Sequence, residues 1–133
     1  MQKKKIPAPR KLRKVVLTHL DDAVSSMLVV TTDTIPGRKI KKVIGLVMGN
    51  SAQVLGIAGE LTAGLGQILS GGDVPNYNSL LQESRNLALA RLKKQAVLAK
   101  ANAVVGLRFA SSDIMNGLAE VCVYGTAVEL ENE

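Results

Sequence analysis

The segment from Tyr77 to Lys100, "YNSLLQESRNLALARLKKQAVLAK", sets the tightest limit on what this chain can fold into. It reads as a helix whose apolar residues fall on two sides. Leu81, Ala88, Leu92, Ala96 and Ala99 form one face; Leu80, Leu87 and Leu98, with Ala90 and Ala101 beside them, form another. Polar residues are confined to two narrow strips, Gln82, Asn86, Lys93 and Lys100, then Ser84, Arg91 and Gln95. A helix with two apolar stripes packs against two things. In a domain this small one of them is its own sheet, and the second is expected to be another subunit.

The residues available for a core narrow the picture further. Tyr77, Phe109 and Tyr124 are the only aromatic side chains, so the interior is built from Val, Leu, Ile, Ala and Met. Aliphatic interiors need close backbone approach, which the 12 glycines permit. A chain of 133 residues fits one domain and folds without disulfide or metal. The single cysteine forbids an internal disulfide framework.

The net charge of +6 is local. Lys3, Lys4, Lys5, Arg10, Lys11, Arg13 and Lys14 are seven cations with no acid among residues 1–14, which leaves 10 basic against 11 acidic groups in the body. That is a basic arm on a neutral body, not a nucleic-acid-binding fold, since single-strand platforms need aromatic rings. No apolar run reaches the length of a spanning helix, and "VVLTHLDDAV" breaks signal-peptide character with His19, Asp21 and Asp22. A soluble, cytoplasmic protein is expected.

Along the chain, "MQKKKIPAP" reads as disordered, with Pro7 and Pro9 blocking regular structure. Leu12, Val16, Leu20, Ala23 and Met27 then recur at helical spacing, which predicts an amphipathic helix over 10–26. Strand runs at Met27–Thr32 and Ile40–Asn50 flank Pro36-Gly37, the pair a type II turn prefers, and predict a hairpin. In the second run Ile40, Ile44, Leu46 and Met48 fall on one face, and Val43, Gly45, Val47 and Gly49 on the other. A strand apolar on both faces is expected to be covered on both. "GIAGELTAGLGQILSGGD" predicts a helix with a stripe of Ile57, Leu61, Leu65 and Ile68, stopped by Gly71-Gly72. "NAVVGLRFAS" and "AEVCVYGTAVEL" read as a closing strand pair. The order is α+β with a mostly antiparallel sheet.

Several stretches carry a resemblance: "TTDTIPG", "GLVMGN", "AGLGQILSGG" followed by "LLQESRNLAL", and "ANAVVGLRF" with "YGTAV". Together, over about residues 28–130, they resemble the YbjQ-like family of small bacterial and archaeal proteins. The resemblance implies an α+β fold whose subunits associate into a ring, with five the expected number, and it brings a heavy-metal-binding description. Where the family commonly carries an Arg in the first helix of the domain, this chain has Gly59. Any anion contact made by that Arg is absent here.

The residues themselves limit the chemistry. Soft metals want Cys and His at close spacing, and Cys122 and His19 lie in different elements. No metal site within one subunit is expected, Cys122 reads as a small apolar filler, and His19 as an exposed helix residue. "GLGQIL" lacks the third glycine of a dinucleotide fingerprint, and no G-x-x-x-x-G-K stretch exists. A nucleophilic triad lacks its base. Arg85 falls by helical angle among Leu81, Ala88 and Leu92, where a guanidinium needs a partner or an escape to water. Glu83 and Arg85 therefore stand as a candidate intersubunit or ligand-facing contact. Thr31, Thr32 and Asp33 either satisfy backbone groups at a strand end or line a crevice between subunits. Alternation places Tyr124 and Thr126 on the strand face of Cys122, opposite Val121 and Val123.

The expected architecture is a β-β-α-α-β-β domain over 27–133, its mostly antiparallel sheet packed on two helices. It forms a ring and follows a basic helical extension over 1–26. The expected function is a homo-oligomeric, pentameric, non-enzymatic ring protein that binds a small ligand or metal at subunit interfaces. Thr31, Thr32, Asp33, Glu83, Arg85, Tyr124 and Thr126 are the candidates, with no catalytic residue, cofactor or specific nucleic acid. Two alternatives stay open: a membrane- or polyanion-associated adaptor acting through the extension, and an enzyme with an interface active site.

Overall fold

The computed structural model describes residues 10–54, 75–115 and 118–132. The helix predicted over 57–70, Gly59 and the disordered stretch predicted at 1–9 lie outside the described residues. The elements in chain order are α1 (Arg10–Ser26), β1 (Leu28–Val29), β2 (Ile40–Val54), α2 (Pro75–Leu98), β3 (Ala103–Met115) and β4 (Leu118–Leu130). The fold is α+β. The four strands form one mixed sheet in the order β1-β3-β4-β2, with β1 parallel to β3 and the other two pairings antiparallel.

The closing pair forms as the sequence predicts, and β4 becomes a central strand flanked by β3 and β2. The predicted hairpin between Met27–Thr32 and Ile40–Asn50 does not form. Its turn does: Gly37 has φ 78°, and the Arg38 N–H donates to the Ile35 carbonyl at 3.1 Å. That reversal pairs only Ile35 with Arg38. The backbone before it is claimed by β3, through Val30 N–H to Val104 O, Gly106 N–H to Thr32 O and Leu107 N–H to Val30 O, all within 3.1 Å. β1 and β2 therefore end on opposite edges of the sheet. The connecting chain crosses one face, where Val30, Ile35 and Ile40 pack over Ala103, Val105, Val128 and Leu130.

The main core lies on the opposite, inner face. Val47, Val104, Leu107, Val121, Val123 and Ala127 pack there with Ala88, Leu92 and Ala96 of α2 and with Met27. The buried stripe of α2 is Ser84, Ala88, Leu92 and Ala96, one residue per turn and mostly small. Small residues let the helix backbone settle onto β2. At Gly49 an added Cβ would stand 2.6 Å from Leu92 N and 3.1 Å from the carbonyl carbon of Ala88. Arg85 is therefore not on the apolar face, as its helical angle suggested; it is exposed, and Ser84 takes the inward place. Of the second stripe of α2, Leu87 and Leu98 are exposed, whereas Leu80 is half-buried and Ala101 packs against the core.

Among the described residues β2 is covered on one face. A bulge between Val43 and Gly45, whose φ is 141°, breaks the alternation. Ile44 packs against the inner core, whereas Val43, Leu46 and Met48 are 63%, 67% and 49% exposed on the outer face.

α1 forms over the predicted residues and packs on α2 through its C-terminal half. Leu20, Ala23 and Val24 are half-buried there, and Met27 enters the core.

α2 ends in a Schellman arrangement. Ala101 N–H donates to Ala96 O at 3.0 Å and Lys100 N–H to Val97 O at 2.9 Å, with Lys100 at φ 64°. A non-glycine residue pays about 1 kcal/mol in that left-handed position. Lys100→Gly is accordingly expected to raise stability by about 1 kcal/mol, read as a higher urea midpoint at unchanged slope.

Candidate functional site

The outer face of the sheet beyond the crossing chain is the candidate site. Register fixes its rows. Leu46 of β2 stands opposite Thr126 of β4, which stands opposite Val105 of β3; the next row is Met48, Tyr124 and Arg108; the next is Asn50, Cys122 and Ala110. Each row shares one face because directly paired residues point the same way. Tyr124 is 40% exposed and Thr126 half-buried. Below them the Asn50 side-chain amide donates to Glu120 Oε1 at 3.3 Å.

Arg108 joins this face to the candidate loop. Its Nη1 donates to the carbonyls of Thr31 and Leu107, both at 2.8 Å. The hydroxyl of Thr32 donates to the Thr34 carbonyl at 2.7 Å, the local backbone role that strand-end hydroxyls often take. Asp33 is exposed, and its Oδ1 lies 3.7 Å from where a Cβ on Gly106 would stand. The sheet thus gathers Tyr124 and Thr126 on one surface, with Thr31, Thr32 and Asp33 held at its β3 border. Glu83 and Arg85 are not part of this group. They are exposed on α2, which covers the inner face.

Sequence reasoning missed three residues. Arg108 carries a weak signal, a cation between Leu107 and Phe109 in an apolar strand run. Arg91 and Gln95 were read only as a polar strip. They tie α2 to the free edge of β2: the Met48 N–H donates to Gln95 Oε1 at 2.6 Å, and Arg91 Nη1 donates to the Asn50 carbonyl at 2.7 Å. An edge strand whose backbone groups are already taken resists pairing with another chain.

The donor set for a metal can be tested on the geometry. Cys122 sits half-buried on the outer face and His19 exposed on α1. Among the described residues no group of three or more His, Cys, Asp or Glu side chains converges. On its face Cys122 stands between Asn50 and Ala110 in register, with Tyr124 and Glu120 along its own strand, so a single carboxylate accompanies the thiol. The described residues of the chain do not fit a heavy-metal centre.

The chain is similar to known proteins over most of its length. A family model described as "Putative heavy-metal-binding" matches residues 27–131. A UPF0145 protein of Thermotoga maritima is 41% identical over 105 residues, covering 79% of this chain and 98% of its own length. A UPF0145 protein of Thermus thermophilus is 42% identical over 108 residues, covering 81% of this chain and 94% of its own. A crystallised protein of unknown function from Pediococcus pentosaceus, described as a member of the DUF74 family, is 21% identical with a TM-score of 0.49, covering 79% of this chain and 98% of that one. With the match running from Met27, at the end of α1, to Glu131, just past β4, the chain belongs to the YbjQ (UPF0145) family.

Proposed function

We propose that this protein is a homo-oligomeric ring of five subunits, without catalytic role, that seats a small ligand on the outer sheet face where neighbouring subunits meet. One observation carries the reading. Val43, Leu46, Met48 and Tyr124 are each at least 40% exposed on a single sheet face. A contiguous apolar patch rimmed by polar groups marks an interaction surface. At the β2 edge the Met48 N–H and the Asn50 carbonyl are already bonded to α2, which favours subunits meeting by faces over strand addition at that point. The exposed Leu87 and Leu98 of α2 offer the second apolar stripe that a neighbour would cover. The number five comes from the family resemblance.

The same face suggests the ligand's character. Arg108, the Tyr124 phenol and the Thr126 hydroxyl stand along an aliphatic floor of Leu46 and Met48. That combination suits a compact ligand with an apolar body and one anionic or hydrogen-bond-accepting group. Light scattering coupled to size exclusion tests the assembly. A mass of five times 14.1 kDa is expected, and a clean 14.1 kDa species at micromolar concentration would sink the proposal.

A further inference from the structure

We propose that the N-terminal half of α1 docks on an anionic phospholipid surface. The helix is docked at one end only. Leu20, Ala23 and Val24 lean on the body, whereas Val15, Val16 and Leu17 are 56%, 59% and 57% exposed. Three successive exposed residues cannot share one face of a helix, so this turn stands clear of the body on nearly all sides. It is apolar nonetheless, and such a turn needs cover.

Charge selects what covers it. Arg10, Lys11, Arg13 and Lys14 occupy the first turns of α1, and Lys3, Lys4 and Lys5 precede it, with no acid before Asp21. Asp21 and Asp22 fall at the docked end. The helix is thus divided along its sequence: cations and an exposed apolar turn in its first half, acidic residues toward the end that packs on the body. The matching surface must be densely anionic and must also accept aliphatic side chains, as a leaflet rich in acidic headgroups does.

A second copy of this chain fits less well. Beyond residue 14 it carries 10 cations against 11 acids, so it offers no comparable excess of negative charge. Nucleic acid would satisfy the cations and leave Val15, Val16 and Leu17 uncovered. Among the described residues no helix is long and apolar enough to cross a membrane.

Cosedimentation of the full chain with vesicles tests this. Vesicles of phosphatidylcholine alone are compared with phosphatidylcholine containing about a third phosphatidylglycerol, at low and at physiological salt. The full chain should bind the anionic vesicles at least ~10-fold better than the neutral ones and lose most of that binding as salt rises. The triple variant Val15→Ser, Val16→Ser, Leu17→Ser and the double variant Lys11→Gln, Lys14→Gln should each weaken binding by ~10-fold or more, with helicity and oligomer mass unchanged. Equal binding to neutral vesicles, or no binding to either, overturns the proposal. If the serine variant binds vesicles as the parent does, the contact is a bare polycation effect and the proposal fails. If that variant instead changes the oligomer mass, a neighbouring subunit is the occupant and the proposal likewise fails.

Discussion

Gly49→Ala is expected to lower the unfolding free energy by about 3 kcal/mol, an overpacking penalty at the upper end of the usual range. The added methyl would meet Leu92 N at 2.6 Å and the Ala88 carbonyl carbon at 3.1 Å. Both are backbone atoms in the middle of α2, so no side chain can rotate away. Relief requires lifting the helix, and that would open the contacts of Ala88, Leu92 and Ala96, all fully buried. Urea unfolding should show a lower midpoint at unchanged slope. Gly37→Ala is the matched control. Its Cβ meets nothing within 4 Å, and only its φ of 78° opposes it, so it should cost about 1 kcal/mol. A Gly49→Ala protein as stable as its parent would show that α2 does not sit on β2 as closely as described.

The second large effect is on assembly. Leu46→Glu with Met48→Glu should convert the proposed oligomer to a folded species of 14.1 kDa. Both side chains are largely exposed within one subunit, so the substitutions remove little from its own core. At a closed interface each carboxylate would be desolvated without a partner, at a cost of several kcal/mol per group. Light scattering should show the change in mass while far-UV circular dichroism stays as in the parent. Some loss of thermal stability is expected even so, because dissociation removes the stabilisation that assembly supplies. An unchanged mass would show that Leu46 and Met48 lie outside any interface.

The local features of this fold were legible in the sequence. Periodicity located α1 and α2, Pro36-Gly37 located the turn, and alternation located β3, β4 and the shared face of Cys122, Tyr124 and Thr126. What failed were inferences that needed distant pairing. The turn after Ile35 reverses the chain, but nothing near it in sequence says that β3 will take the hydrogen bonds of the preceding strand. On β2 alternation grouped Ile40 with Leu46 and Met48, and Gly45 with Val47 and Gly49, as the register does, but it exchanged Val43 and Ile44, because the bulge at Gly45 looks like any glycine in a strand. On α2 the inward place went to Ser84 and Arg85 turned to solvent, a difference of one residue in helical phase that the apolar pattern does not fix. Of the seven candidate residues, alternation alone was enough to join Tyr124 with Thr126. The neighbouring Arg108 was missed because its role, holding the Thr31 carbonyl from the β3 edge, depends on a strand pairing that periodicity does not reveal.

Cys122 offers the most direct measurement of whether subunits meet through the outer face. It is the chain's only cysteine, half-buried on that face one row below Tyr124. Its alkylation rate should be followed across a dilution series and compared with the Leu46→Glu, Met48→Glu protein. The account predicts slow labelling in the concentrated assembly, faster labelling as dilution dissociates it, and fast labelling of the variant at every concentration. A rate that is the same at all concentrations and in both proteins, while the parent's mass remains oligomeric, would place the interface elsewhere and contradict the account.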